Sequence, residues 1–421
     1  MRRPARLIAL AVLTVVALAG CGAAAQTGER VSSQALAAVL LTPASDPATM
    51  QTVTWRTERT GLEATATPID GGRARTAAAR IKSATSEANS GSSVPAHTAT
   101  LTGLRPDTAY DLSIDGETVA SFRTAATGLD EDAWSFIALG DTQIDNAGLP
   151  ADIVDRALAD APDARLLLQA GDLIDRPDDG REWEAAMSAL EPARTTRSLL
   201  VAAGNHEQCV LMRDCRHGDV EGYRAHVTNP GNDVPGQRPT WFVLDHQGVR
   251  FVVLDSFGPD PDAQARFLDD ALATNEQPWS VVLMHASPFA SRAKRTNTQV
   301  AATVLPVLER HDVDLVLTGH DHVYSRGYRG DPDGTVYVTA NSGPKFYPMS
   351  RADWDRRGAT RARAAEQVAT YQVVEVSATR MRYRAVVAGL GDYAGPEHAV
   401  GDVLDELTIA RDEHGDRTVT W

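Results

Sequence analysis

Between residues 33 and 126 apolar and polar residues alternate with a period of two. "MQTVTWRT" places Val53 and Trp55 on one face, and "AYDLSID" does the same with Tyr110, Leu112 and Ile114. Such alternation describes half-buried strands, and clusters of Gly, Pro and Asp punctuate them. This segment therefore reads as an all-β domain. From about residue 131 the texture changes. Short continuous apolar runs, which fit buried strands, alternate with stretches whose apolar residues recur at helical spacing: Ile153, Val154, Ala157 and Leu158; Trp183, Met187 and Leu190; Phe267, Leu268 and Leu272; Val300, Val304 and Leu308. Pro306 should kink or restart the last of these. Strands alternating with amphipathic helices make residues 131–421 an α/β domain. Within it, "YQVVEVSATRMRYRAVV" predicts two strands joined by a turn.

A chain of 421 residues is too long for one core, so two folded domains and an end segment are expected. Hydrophobic content of 43% and charged content of 23% describe a soluble globular protein. The formal net charge of −15 argues against non-specific nucleic-acid binding. It also disfavours phosphate substrates unless a local positive charge, such as a metal, offsets it.

The first residues carry a different signal. "MRRPAR" is basic, and "LIALAVLTVVALAG" is apolar but short for a bilayer span. The run ends in Leu18-Ala19-Gly20-Cys21, which resembles the lipobox of bacterial lipoproteins. That resemblance implies a signal peptide over 1–21 and lipidation of Cys21. The protein would then be exported and lipid-anchored to the bacterial cell membrane on its extracytoplasmic face. A simple signal peptide with an incidental cysteine is the alternative. Residues 22–32 read as a linker. Export would place Cys209 and Cys215 in an oxidising compartment, where their spacing suits a disulfide around a small loop.

Five apolar runs end in polar clusters: "FIALGD" at Asp141, "LLLQAGD" at Asp172, "LLVAAGNHE" at Asn205 to Glu207, "VVLMH" at His285, and "LVLTGHDH" at His320 and His322. In open α/β sheets ligands bind beyond the carboxyl ends of strands, so these residues should converge. The preceding glycines are expected to allow a sharp exit that turns each side chain inward. Two carboxylates, an amide and several imidazoles are costly to bury without a cation. Mixed oxygen and nitrogen ligands suit a first-row metal, and their number suits two ions sharing a bridge.

The ordered set GD, GD, GNHE, VxxH and GHxH resembles the calcineurin-like metallophosphoesterases. "WFVLDHQGVRFVVLDS" and "GHDHVYSR" narrow the likeness to the purple acid phosphatase branch. So does "LTGLRPDTAYDLSI", whose Leu104, Pro106 and Tyr110 resemble the turn and tyrosine corner of a fibronectin-type-III strand. The resemblance implies a metallophosphoesterase-type α/β/β/α sandwich preceded by a fibronectin-III-like all-β sandwich. It implies that Asp141, Asp172 and His322 hold one metal and that Asp172, Asn205, His285 and His320 hold the other. His206 would be the catalytic acid facing the leaving group, with Glu207 either orienting it or merely starting a helix.

Two departures stand out. Where purple acid phosphatases carry a ferric-binding tyrosine this chain has Asp175, and where the wider family carries a histidine it has Gln143. Gln143 is therefore expected as a weak ligand, with two divalent ions (zinc, manganese or iron) and no colour. At the positions where plant purple acid phosphatases contact substrate stand Lys294 and Arg295, which read either as a phosphate grip or as a solvated basic loop. Tyr324, Arg326 and Lys345 are further pocket candidates. Together these readings give a cell-surface hydrolase of phosphate esters, phosphomonoesters foremost. The alternatives are a phosphodiesterase acting on nucleotides or phospholipid heads, and a non-catalytic surface lipoprotein. The sequence leaves the oligomeric state open.

Overall fold

A computed structural model describes residues 35–83, 94–129, 133–143, 148–210, 218, 220–231, 240–395 and 397–421. The lipobox segment with Cys21, the linker and Cys215 lie outside the described residues. Among the described residues no helix is long and apolar enough to cross a membrane.

The alternating N-terminal segments form two four-stranded antiparallel sheets. One joins Ala37–Pro43, Met50–Arg56, Ala96–Thr102 and Arg80–Ser83, and the other Arg75–Ala78, Glu63–Pro68, Ala109–Ile114 and Glu117–Arg123. The sheets enclose Val53, Trp55, Leu101, Tyr110, Leu112 and Ile114, so the period-two reading places the core residues. The Tyr110 hydroxyl accepts the Arg105 N–H at 2.7 Å, which ties the turn to its strand. This sandwich docks on the second domain: Leu40 packs into a helical layer there, and Thr54 Oγ1 lies 2.7 Å from Thr228 Oγ1.

The second domain has two seven-stranded sheets packed face to face with helices outside them, an α/β/β/α sandwich. In the first sheet, Ser198–Val201, Leu166–Gln169 and Trp134–Leu139 run parallel. Val368–Val376 then pairs antiparallel with Trp134–Leu139 and with Arg380–Leu390. In the second sheet Val249–Val253, Trp279–Ala286, Leu315–Gly319 and Val336–Thr339 are parallel. Strand periodicity explains the layering. Phe136 and Ala138 face the core between the sheets, whereas Ile137 and Leu139 face the helices.

Helix Leu149–Asp160 begins with Pro150 in its first turn and buries Ile153, Val154 and Ala157 against the first sheet. Helix Pro261–Ala273 is capped by Asp260, whose carboxylate accepts the Ala263 N–H at 2.8 Å, and it buries Leu268 and Leu272 against the second sheet. Pro306 divides its segment into Thr298–Thr303 and Leu305–Arg310, a restart caused by its missing N–H.

Candidate metal centre

Both sheets deliver side chains to one place from the carboxyl ends of parallel strands. Asp141 follows Trp134–Leu139, Asp172 follows Leu166–Gln169, and Asn205 and His206 follow Ser198–Val201. His285 lies near the end of Trp279–Ala286, and His320 and His322 follow Leu315–Gly319. Ligand atoms of Asp172, His285 and His320 lie within 4.8 Å of one another, as do those of Asp141, Asp172 and His322. Asp172 is common to both groups. Its Oδ2 is 2.9 Å from His285 Nε2, while Asp141 Oδ1 is 3.6 Å from His322 Nε2. Asn205 and Gln143 are buried beside these groups in the chain.

The backbone holds this cluster in an uncommon conformation. Asp141, Gln143, Asp172, His320 and His322 have φ of 51°, 30°, 53°, 72° and 53°, in the left-handed region that β-substituted residues rarely enter. The expectation that the preceding glycines make the turns holds for Gly171, whose φ is 81°, but not generally. Gly204 and Gly319 supply space instead. A Cβ on Gly204 would lie 2.1 Å from Asp172 Oδ1, and one on Gly319 would lie 2.5 Å from Asp141 Oδ2.

Main-chain carbonyls fix the imidazoles. A carbonyl can only accept, so the Nδ1 atom facing it must carry the proton and Nε2 is left free. His285 Nδ1 donates to Ala170 O at 2.6 Å, His206 Nδ1 to Asp175 O at 2.7 Å, and His322 Nδ1 to Lys345 O at 3.3 Å. His206 Nε2 thereby lies 3.9 Å from Asp172 Oδ2. The carboxylates are braced as well: Asp141 Oδ2 accepts the His320 N–H at 2.6 Å, and Asp172 Oδ1 the His206 N–H at 3.0 Å.

The donor set fits a pair of cations. Asp141 Oδ1, Asn205 Oδ1 and both polar atoms of the Gln143 amide are buried without a hydrogen-bond partner. Orphaned buried oxygens of this kind are costly unless an ion takes them. Burial pushes the Asp141 carboxyl well above the usual carboxylate range. Burial acts on Asp172 in the same sense, but His285, His206 and His320 hold that carboxyl below it. Burial disfavours a charged His285, yet Asp172 and Asp141 outweigh it and raise the imidazole to about 9. Burial lowers His322 to about 3 and His320 well below its ordinary value, so both present neutral, ligating rings.

Several sequence expectations need correction. Glu207 neither orients His206 nor starts a helix. It is fully buried and accepts N–H groups from Asp172 at 2.9 Å, Leu173 at 2.7 Å and Gly204 at 2.7 Å, locking two ligand loops together. Tyr324 is not in the pocket mouth: its buried hydroxyl donates to Asp405 at 2.7 Å, and Arg326 forms a bidentate pair with the same carboxylate at 2.6 Å. Arg295 is held by the His320 carbonyl and by Asp321 Oδ1 at 3.0 Å, so its charge answers a buried acid rather than solvent. Lys294 is exposed at φ 65°. Lys345 pairs with the Asp175 carboxylate. Cys209 is buried and disulfide-bonded, and Cys215 lies outside the described residues.

Sequence reasoning missed the aromatic contacts and the supporting carbonyls. The Phe257 ring meets His320 at 4.9 Å and the Tyr347 ring meets His322 at 4.7 Å between centroids. Neither aromatic residue sits in a motif, so no local pattern distinguished it from a core residue.

Residues 135–324 match the calcineurin-like phosphoesterase family. Among curated proteins, purple acid phosphatase 21 of Arabidopsis thaliana is 29% identical over 175 residues, 38% of this chain and 39% of its own length. The chain thus spans about two fifths of the length of the curated relatives it first matches. Among solved structures, a purple acid phosphatase from yellow lupin (Lupinus luteus) seeds superposes with a TM-score of 0.72 at 16% identity, over 91% of this chain and 75% of that one. PhoD superposes with a TM-score of 0.64 at 12% identity, over 90% and 91%. With ligand groups that share Asp172 at the strand ends of an α/β/β/α sandwich, residues 135–324 are similar to the calcineurin-like phosphoesterases, and the chain resembles purple acid phosphatases in part of its sequence and in fold.

Proposed function

We propose that this chain is a dinuclear-metal hydrolase of phosphate esters, phosphomonoesters foremost, carried on the extracytoplasmic face of the cell membrane by lipid on Cys21. One observation carries the chemistry: two potential ligand groups share Asp172, and His206 Nε2 is directed toward that shared carboxylate. The names of the relatives, purple acid phosphatases among them, support the same class. Asp141, Asp172 and His322, with Gln143, would hold one divalent ion, and Asp172, Asn205, His285 and His320 the other. When bound, such ions neutralise phosphoryl charge and lower the pKa of water.

The chain's own residues do the rest. His206 presents Nε2 to the leaving-group oxygen and delivers a proton there, a contribution of about 10²–10⁴-fold. Its Nδ1–H stays on the Asp175 carbonyl, so the ring does not rotate away. Glu207 keeps the Asp172 and Asn205 loops in register. With Asp175 in place of a phenolate, the protein should be colourless.

The reading is tested with protein reconstituted with manganese or zinc, assayed on p-nitrophenyl phosphate and its bis ester. Faster cleavage of the monoester is expected. Cleavage of the diester alone would move the reading to a phosphodiesterase, and two bound ions without hydrolysis would leave a surface binding protein. Expression of a Cys21→Ser variant tests the anchor, since release from the membrane fraction is expected.

A further inference from the structure

Arg292 and Lys294 have no acid partner among the described residues, and Arg292 reaches the metal centre through the Tyr347 ring. Lys294 is exposed, but Arg292 is half-buried and fixed in place. Its guanidinium carbon lies 3.6 Å from the centroid of Tyr347, and the Tyr347 ring packs edge-on against His322 at 4.7 Å. The two residues sit on facing segments held by a short antiparallel bridge. Arg292 pairs with Met349, the Ala293 N–H donates to Pro348 O at 2.7 Å, and the Ser350 N–H donates to Ser291 O at 2.7 Å. Arg292 and Tyr347 are therefore positioned before any ligand arrives.

Stacking uses one face of the guanidinium and leaves its in-plane N–H fork free. That fork matches the geometry of a carboxylate or a phosphate. Neighbouring Arg295, by contrast, is already held by Asp321 and the His320 carbonyl.

We propose that Arg292, seated on Tyr347, forms an anion subsite one ring removed from His322 that takes a second anionic group on the leaving group of the substrate. The inference rests on the phosphohydrolase reading and narrows it to esters whose leaving group is itself anionic, through a carboxylate or a further phosphate. The path from His322 to Arg292 runs over the single Tyr347 ring, 4.7 Å from His322 between centroids and 3.6 Å from the guanidinium carbon.

Two measurements on the metal-loaded protein test this. Calorimetric binding compares methylphosphonate with phosphonoacetate and methylenebisphosphonate, and turnover compares glycerol 2-phosphate with 2-phosphoglycerate. The doubly anionic partner is expected to be favoured about 10–100-fold, the range of a charge-assisted hydrogen-bonded pair. In Arg292→Gln the preference should fall to near one in both assays while metal content stays at two ions per chain, and Arg292→Lys should restore part of it. The stronger of phosphonoacetate and methylenebisphosphonate identifies the second anion as carboxylate or phosphate. A preference that survives in Arg292→Gln assigns the second anion to the metals and overturns the subsite. Equal treatment of both esters by the native protein overturns it while leaving the phosphohydrolase reading intact. Failure of any phosphonate to bind, with no ester cleaved, removes both.

Discussion

His206 donates its Nδ1 proton to the main-chain carbonyl of Asp175 at 2.7 Å. The Asp175 carboxylate pairs with Lys345 and also lies 3.7 Å from His206 Nδ1, so the backbone carbonyl makes the hydrogen bond while the side chain adds negative charge beside the ring. His285 and His322 are set by the same device, through the carbonyls of Ala170 and Lys345. Three loops thereby hold three rings by hydrogen bonds from Nδ1 to main-chain carbonyls.

His206 is placed as the proton donor because its free Nε2 faces the Asp172 carboxylate at 3.9 Å, while 26% of its side chain remains open to incoming substrate. His206→Ala should keep two ions per chain and slow turnover by about 10²–10⁴-fold. The loss should be steepest for esters with poor leaving groups, which need the proton most. A plot of log kcat against leaving-group pKa reads this directly, and a slope unchanged from the native protein would remove His206 from that role.

Asp172 and Asp141 differ in what they should cost. Asp172 belongs to both ligand groups, whereas Asp141 belongs to one. Asp172→Ala is expected to abolish binding of both ions, and Asp141→Ala to leave one. Elemental analysis after dialysis against a trace of metal gives the stoichiometry. Two ions retained by Asp172→Ala would mean that the carboxylate is not shared.

Much of this arrangement was legible in the residues, for a physical reason. Ligands at strand ends are announced by apolar runs that stop at a carboxylate or an imidazole, and the α/β alternation says that those ends lie on one edge. Asp141, Asp172, His285, His320 and His322, which the structure brings together, follow from that logic. What escaped it depends on partners remote in sequence. Tyr324 follows the GHDH motif closely, yet its hydroxyl reaches Asp405, a partner that no local pattern supplies. Arg295 meets Asp321, which lies in the middle of GHDH and points away from the ligand side. The glycines misled for a different cause. A glycine is read as a hinge, but Gly204 and Gly319 are small because a carboxylate occupies the place of their Cβ.

Glu207 carries a structural prediction. Its carboxylate accepts three main-chain N–H groups with no exposure to solvent. Glu207→Gln keeps the shape, removes one acceptor oxygen and brings an NH₂ against donors. The variant should lose about 1–3 kcal/mol, the cost of leaving a buried polar group unpaired. Thermal unfolding with metal saturated should show a midpoint several degrees lower, and bound metal should dissociate faster. An unchanged midpoint would show that the loops hold their register without it.

Acid sensitivity should come partly from a histidine far from the centre. His246 is buried against Trp134, with ring centroids 4.8 Å apart, and burial, helped by Arg165, lowers its imidazole to about 3. In the unfolded chain it titrates near 6.5, about the ordinary value. From about pH 6.5 down to 3 the unfolded chain binds a proton that the folded chain refuses, so stability falls as pH falls through that window. The slope reaches about 1.4 kcal/mol per pH unit for one such group. His246→Phe preserves the ring contact and removes the titration. Its stability should decline less steeply than that of the native protein on acidification, as read by denaturant unfolding at several pH values; identical slopes would exclude His246 as a source.

Gln143 offers the sharpest test of the first metal group. Its amide is buried with neither polar atom paired, and its backbone N–H donates to Asp172 O at 3.0 Å, which holds the residue at the edge of the centre. An unpaired buried amide has a large desolvation cost. An oxygen bound to a cation offsets that cost, although an amide is a weaker ligand than an imidazole for first-row metals. Gln143→His supplies a neutral nitrogen from the same strained position, φ 30°, which histidine enters more readily than most residues. The more weakly held of the two ions should then bind about tenfold or more tightly, with the other ion unaffected. Competition with a chromophoric chelator resolves the two affinities. If both stay where they were, the Gln143 side chain does not reach the ion, and its unpaired amide has some other partner.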